Sequence, residues 1–386
     1  MESIELFSGA GGLALGVSRA GIQHKALFEW NRDACETIRW NQERGVAHAK
    51  DWKLFEGDVR SFDFHQFGDG ISLLAGGPPC QPFSLGGKHQ GFRDQRDMFP
   101  EVVRAVRELK PRAILVENVR GLVRQAFAEY FEYIILQIAH PTISRRQSED
   151  WPSHLARLEQ HHTSGHSTDL EYRVVFRVLN AADYGVPQRR ERVFIVGFRS
   201  DLGIDWSFPD PTHSLDALLH EQWVSGTYWE RHQIARQGRP EIPDRLRNRV
   251  KRLSPSRFAG ALPWSTVRDA ISDLPHPEMG DSTLLNHRFN PGARVYQGHT
   301  GSPLDEPAKT LKAGDHGVPG GENMLAFPDG TVRYFTIREA ARLQTFPDDY
   351  GFSGAWSEAM RQLGNAVPVQ LAETLAKNIK NKLEQG

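Results

Sequence analysis

The chain has 386 residues, 39% hydrophobic and 25% charged with a formal charge of −1, the composition of a globular protein with room for one large or two modest domains. Two cysteines in that length, Cys35 and Cys80, exclude a disulfide framework and favour a reducing compartment. No apolar run reads as a signal peptide or a membrane span, so the expected setting is cytoplasmic.

In chain order, SIELF at 3–7 predicts a strand that turns through SGAGG into a helix from Leu13, closed by Gly21. KALFEW, LFEGDV, GISLLAGG and RAILVENV predict four more strands, and EVVRAVRELK a helix before the last of them, stopped by Pro111. Strands alternating with helices predict an α/β fold with a parallel, doubly wound sheet. Ligands of such a sheet bind beyond the carboxyl ends of the strands. The turns SGAGG, EWN, GDV, GGPPC and ENV all fall there.

Residues 141–170 are polar, rich in His and Ser and without clear periodicity, and read as an inserted surface excursion. YRVVFRVLNA and ERVFIVGF then predict two strands around DYGVPQRR, a hairpin-like unit on the same sheet. From about 200 to 332 Pro, Gly, Trp and Arg recur and helical periods are short, which predicts a second, smaller domain. Inside it, residues 231–257 carry nine Lys/Arg against two Asp/Glu, a local excess of +7. That excess suits phosphates, and suits a solvated surface equally. TIREAARLQTFPDDY and GNAVPVQLAETLAKNIKNKL predict amphipathic helices, the second running to the carboxyl terminus.

The turns carry the chemistry. A strand, a glycine-rich turn and a helix let backbone N–H groups approach a ligand, although the same pattern serves as a plain tight connection. Glu29, about 20 residues after the turn, stands where an acid meets ribose hydroxyls in nucleotide-binding α/β folds, and Asp58 is suited to an adenine amine. No GK[ST] phosphate signature is present, so a nucleoside without polyphosphate fits better. Cys80 follows Pro78 and Pro79 in a turn that fixes its direction, as a nucleophile requires and a core filler does not. Glu117 is placed by topology beside it, and QRRER at 188–192 offers Arg190 and Arg192 to lower a thiol pKa or hold a phosphate. The alternatives are a surface or capping carboxylate for Glu117 and exposed strand-edge charge for the arginines.

ELFSGAGGLALG, GGPPCQPFS, ENVRGL, QRRERVFIVG, REAARLQTFPD and GNAVPVQLAE stand in the order of the motifs of the DNA (cytosine-5) methyltransferases, and from Ile4 to the final helix the chain resembles that family in its restriction-modification form. The resemblance implies a Rossmann-like sheet that binds S-adenosylmethionine and transfers its methyl group to C5 of a flipped-out cytosine in a specific duplex sequence, through a covalent Cys80–C6 intermediate. Glu117 is then the acid at N3, Arg190 the group at the cytosine O2 edge, and Arg192 the residue orienting the acid. For the cofactor it implies Phe7 over the adenine, Ser8, Gly9, Ala10, Gly11, Gly12 and Leu13 around the methionine part, and Glu29 on the ribose. Trp30 and Val59 would meet the ring and Asp58 its amine; Pro79 and Met98 would lie against the cofactor, with Asn365, Ala366 and Val367 completing the pocket. No metal is implied.

For DNA the resemblance implies Gln81, Ser84, Lys88, Arg93 and Arg96 on a mobile loop with Gly86, Gly87 and Gly91 and Thr310 near the flipped nucleotide, while the charge excess of the basic stretch places Arg245, Arg247, Arg249, Lys251 and Arg252 on phosphates. The expected domains are a catalytic one, 1–199 completed by 333–386, and a target recognition domain, 200–332. The expected partners are duplex DNA, met as a monomer at the nucleoid, and a cognate restriction or defence nuclease. Glu5 where Asp is usual and the insertion at 141–170 depart from the family pattern. Two other classes are weighed: cytosine methylation in tRNA, against which the basic, Trp-bearing insert speaks, and a silent DNA-binding module, against which Cys80, Glu117 and both arginines speak.

Overall fold

Apolar runs without alternation form strands that are buried on both faces, as a parallel sheet between helices demands. The computed structural model describes residues 1–79, 97–165, 170–254, 258–279, 283–297, 300–313 and 321–385. Strands β1 (Glu2–Leu6), β2 (Gln23–Glu29), β3 (Leu54–Glu56), β4 (Leu73–Gly76) and β5 (Ala113–Val119) pair in parallel. Helices α1 (Gly12–Arg19), α2 (Arg32–Glu43), α3 (Phe99–Leu109), α4 (Ala128–Ala139) and α5 (Trp151–Ser164) accompany them. With β6 (Tyr172–Asn180) and β7 (Glu191–Arg199) the sheet has the order β3-β2-β1-β4-β5-β7-β6. The chain reverses its direction across the sheet between β1 and β4, the switch point where such folds open a crevice. The sheet is not parallel throughout: β7 runs antiparallel to β5.

The core joins Ile4, Leu6, Phe28, Leu74, Ile114 and Val116 of the strands to Phe99, Val102 and Val106 of α3. Glu5 of β1 is fully buried, and burial raises its carboxyl well above the usual range. Its neighbour His24, with Nε2 3.9 Å away, is pushed down to about 4 for the same reason.

The stretch 141–170 is not a structureless excursion. The Asp150 side chain accepts from Ser153 N–H and caps α5, whose first turn holds a proline. Leu155 and Leu158 of α5 enter the core, and His154 bonds Tyr133 Oη at 2.8 Å and the Ile143 carbonyl at 2.7 Å. Two leucines and a satisfied histidine are too narrow a stripe to show as periodicity in a polar sequence.

The chain divides into two compact units, Met1–Leu179 with Glu191–Pro209 and Ala372–Gly386, and Asn180–Arg190 with Asp210–Leu371. Packing thus assigns Asn180–Arg190 and 333–371 to the second unit, where the sequence reading draws them into the first. The second unit is built of short pieces: β8 (His213–Ser214), α6 (Leu215–His220), α7 (Thr227–Arg231), α8 (Asp244–Val250), β9 (Leu262–Pro263) and α9 (Val267–Ile271). They are followed by β10 (Ser302–Pro303), β11 (Met324–Ala326), β12 (Val332–Tyr334), α10 (Ile337–Leu343) and α11 (Trp356–Asn365). Tyr228, Trp229 and Trp264 form its apolar centre with Ala182 and Leu218, so these tryptophans build core. α12 (Val369–Gln385) is separate from α11, whereas the sequence suggests one helix from Gly364 on. Pro368 lies in the gap, where its missing N–H and its ring forbid continuation.

Candidate active site

The turn after β1 leaves the ordinary backbone regions three times, at Phe7 (φ 58°), Gly9 (φ 52°) and Gly11 (φ 84°). Glycine takes such angles freely, while Phe7 is held there by its neighbours. The Glu29 carboxylate, at the end of β2, is the fastener: it accepts from Gly9 N–H at 2.8 Å, Trp30 N–H at 3.0 Å and Asn31 N–H at 2.7 Å. Beside this turn lies a cavity of about 340 Å³ lined by Phe7, Phe28, Glu29, Trp30, Gly57, Asp58, Val59, Arg60, Pro79 and Met98. Its walls are aromatic and aliphatic, with two carboxylates at one side. Trp30 is 68% exposed, a ring set at the rim. Asp58 is gripped by Arg60, whose Nε and Nη2 donate at 2.9 and 2.6 Å, and this bond holds its carboxyl below the usual range.

A second group forms at the carboxyl end of β5. Glu117 is buried, and the guanidinium of Arg192, which faces Val119 across the β5–β7 ladder, lies with Nε 3.0 Å from Glu117 Oε1. The next residue, Asn118, is buried and donates through Nδ2 to the Pro78 carbonyl at 3.1 Å. A Cβ built on Gly77 would stand 3.4 Å from Glu117 Oε2, so the acid and the chain leaving β4 are in contact range. That chain leads directly into Cys80. Cys80 lies outside the described residues, with Gln81, Ser84, Gly86, Gly87, Lys88, Gly91, Arg93 and Arg96. The other cysteine is no rival as a nucleophile: burial, then the charge of Glu29, pushes the Cys35 thiol up to about 12.

A sequence model of the C-5 cytosine-specific DNA methylases matches residues 1–140 and 165–381. The chain belongs to this family. It is 33% identical to the type II methyltransferase M.Eco47II of Escherichia coli over 99% of its own length and 79% of that protein. It is 31% identical to M.NgoMIV of Neisseria gonorrhoeae over 99% and 98% of the two chains. Among solved structures, the Dnmt2 methyltransferase of S. pombe superposes with a TM-score of 0.55 at 17% identity, covering 100% of this chain and 99% of that one. The Entamoeba histolytica methyltransferase EhMeth gives 0.55 at 14% identity over 99% and 98%, and both likenesses speak for the fold. The protein is therefore a DNA (cytosine-5) methyltransferase with S-adenosylmethionine as methyl donor. Among the described residues no helix is long and apolar enough to cross a membrane.

In the methylase the cavity suits a nucleoside: flat apolar walls for a ring and carboxylates for hydroxyls or an amine. Of the cofactor residues read from sequence, Phe7, Glu29, Trp30, Asp58, Val59, Pro79 and Met98 line it, while Ser8, Gly9, Ala10, Gly11, Gly12 and Leu13 form the adjoining turn and first turn of α1. Phe28, Gly57 and Arg60 were missed. Phe28 is signalled by its place beside Glu29 at a strand end, and Arg60 by its spacing of two from Asp58.

The remaining candidates lie in the second unit. Arg190, expected at the cytosine edge, is 1% exposed, and its guanidinium donates to the Leu311 carbonyl at 3.1 Å and the Gly364 carbonyl at 2.7 Å. Thr310 Oγ1 donates to the Arg189 carbonyl at 2.7 Å, and Gln188 Oε1 accepts from Leu311 N–H at 3.0 Å, lacing 188–190 to 310–311. Asn365 is exposed at the end of α11, with Ala366 and Val367 buried after it. The basic stretch is partly neutralised in space. Arg231 pairs with Glu221 and Asp269, Arg245 with Glu306, and Arg249 with Asp216, acids that a count along the stretch omits. Arg247 pairs with Asp244 and is half exposed, Arg252 Nε donates to the Asn248 carbonyl, and Lys251 is exposed.

Proposed function

We propose that the methylase acts through a covalent bond between Cys80 and C6 of a cytosine rotated out of duplex DNA, with Glu117 as the acid at N3. The observation that carries this reading is the joint placement of Glu117, fixed by Arg192, and the Gly77–Pro79 segment, fixed by Asn118. Cytosine C5 is a weak nucleophile. The thiolate forms the C6–S bond while Glu117 delivers a proton to N3, and the ring becomes an enamine whose C5 takes the methyl group. Loss of the C5 proton to solvent or a base then expels the thiolate, and N3 returns its proton. S-adenosylmethionine supplies the methyl as an electrophilic sulfonium substituent. Phe7, Glu29, Trp30, Asp58 and Met98 would hold it in the cavity, and Asp58 would share itself between Arg60 and the adenine amine.

Arg192, beside the acid, takes over the contact to the reacting base that the sequence suggests for Arg190. Arg190 positions the 310–311 and 364 segments instead. The second unit reads the target sequence, with Arg247 and Lys251 on phosphates. The type II names of the relatives support a place beside a cognate restriction nuclease; that the methylase works as a monomer on DNA is part of the proposal alone.

The test is DNA carrying 5-fluorocytosine at the target, identified by bisulfite sequencing of a host expressing the protein. Fluorine cannot leave as a proton does, so with S-adenosylmethionine a covalent complex should accumulate, and Cys80→Ser should abolish it. An equally stable complex with Cys80→Ser overturns the assignment. Preferential methylation of tRNA in a mixture with duplex DNA would overturn the DNA assignment of the second unit.

A further inference from the structure

The family match stops at 140 and resumes at 165, so α5 lies outside it. Its last turn carries His161 and His162. His140 caps the carboxyl end of α4, and Glu171 immediately precedes β6. These residues from three elements meet. His140 Nδ1 lies 3.5 Å and His161 Nε2 3.6 Å from the same oxygen, Glu171 Oε1, and the three atoms all lie within 4.8 Å of one another. The His140 and His161 rings approach edge to face with centroids 4.8 Å apart. His140 is 7% exposed, and among the described residues neither His140 Nδ1 nor His161 Nε2 has a hydrogen-bond partner.

Buried ring nitrogens are rarely left unsatisfied, and two that converge on one carboxylate oxygen call for something between them. A zinc-type ion with bonds of about 2.0–2.1 Å in a tetrahedral set separates its ligand atoms by about 3.4 Å, close to the two nitrogen–oxygen distances seen. The outer shell agrees. His140 Nε2 is 2.9 Å from His162 Nδ1, and with the proton on Nε2 this bond leaves a lone pair on Nδ1, facing Glu171. We propose that His140, His161 and Glu171 bind one divalent transition-metal ion of the zinc class, supported by His162, and that the ion fastens the inserted helix α5 to the end of α4 and the start of β6.

The competing arrangement is an imidazolium–carboxylate pair without metal. Two imidazoles select zinc, nickel, cobalt or copper over magnesium and calcium, and three protein ligands leave a fourth position for water. Methyl transfer to cytosine has no step that requires the ion, so its part is to stabilise the folded catalytic unit by binding it and not the unfolded chain.

The experiment uses the full-length protein stripped with a chelator and titrated with Co(II), then Zn(II). One Co(II) per chain should bind with the visible bands of tetrahedral cobalt, Zn(II) should displace it, and Tm should rise with metal. His161→Ala and Glu171→Gln should each abolish the cobalt spectrum and the Tm rise while leaving metal-free methylation of DNA unchanged, which shows that they fold. His162→Ala should weaken binding about 10–100-fold, the range for an outer-shell partner. Failure to take up one ion per chain at micromolar metal overturns the proposal. So does uptake that survives both His161→Ala and Glu171→Gln, because the ion then sits elsewhere.

Discussion

The cavity beside the β1 turn and the basic segment 231–252 hold their charges in opposite ways. At the cavity Glu29 is bound by two backbone N–H groups of its own turn and one of the turn after β1, and Asp58 by a side chain two residues away, so both carboxylates are set before any ligand arrives. In the basic segment Arg231, Arg245 and Arg249 reach acids more than thirty residues distant, and phosphates must displace Asp269, Glu306 or Asp216 to be bound. Preorganisation lowers the reorganisation that binding costs, whereas internal pairing turns association into an exchange of partners. The cavity should therefore respond steeply to single substitutions and the basic segment shallowly.

The largest effect expected is at the site beside the cavity. Glu117→Gln should slow methyl transfer by about 10²-fold or more with S-adenosylmethionine affinity unchanged, the scale of a lost general acid, as single-turnover kinetics would show. Unchanged turnover would remove Glu117 from the chemistry. Next comes Glu29→Gln, which takes the charge from three backbone bonds and should weaken cofactor binding about 10–100-fold by calorimetry, from roughly 1.5–3 kcal/mol per charged hydrogen bond. An affinity within twofold of the parent would mean that the turn does not depend on its fastener.

Smaller again is the basic segment. Arg247→Ala with Lys251→Ala should reduce the slope of log K against log salt by up to about two units while leaving the preferred sequence alone. Arg245→Ala with Arg249→Ala should change the slope less, since those guanidiniums are paired with the largely buried Glu306 and Asp216, whereas the partner of Arg247, Asp244, is open to solvent and screened. Equal slopes for both double variants would erase the distinction drawn here, and a changed target preference would make these residues readers of bases.

Away from both regions an effect is expected in the pH dependence of stability. His24 has its folded pKa lowered to about 4 from 6.5, so the folded state binds its proton less readily than the unfolded chain. Its contribution to stability is complete above about 6.5 and is lost as pH falls toward 4. Glu5 acts in the opposite sense, favouring the fold at low pH because its pKa is raised. Denaturant unfolding of His24→Asn should show a stability slope between pH 4 and 6.5 shallower by about one proton, ~1.4 kcal/mol per pH unit. An unchanged slope would show that His24 titrates alike in both states.

Most of the sheet and the cavity was legible because strand ends and glycine turns are local signals. Glu29, Asp58 and Glu117 each close a recognisable apolar run, and topology does the rest. What the sequence hid depends on partners remote along the chain. The burial of Arg190 against Leu311 and Gly364 and the acids facing Arg245 and Arg249 are of this kind. α5 was hidden for another reason: its buried stripe is only Leu155, Leu158 and His154, and its cap, Asp150, reads as one more polar residue. The antiparallel β7 was hidden by a motif that announces strands but not their direction.

Cys35 has a practical consequence. A thiol held at about 12 inside α2 exposes almost no thiolate to an alkylating reagent near neutral pH, so Cys35 stays silent toward such reagents in the folded chain. Labelling aimed at Cys80, the nucleophile proposed above, therefore needs no prior removal of the other cysteine. The rate of that labelling, with and without cofactor or DNA, would report how the ligands cover the nucleophile from a single spectroscopic trace.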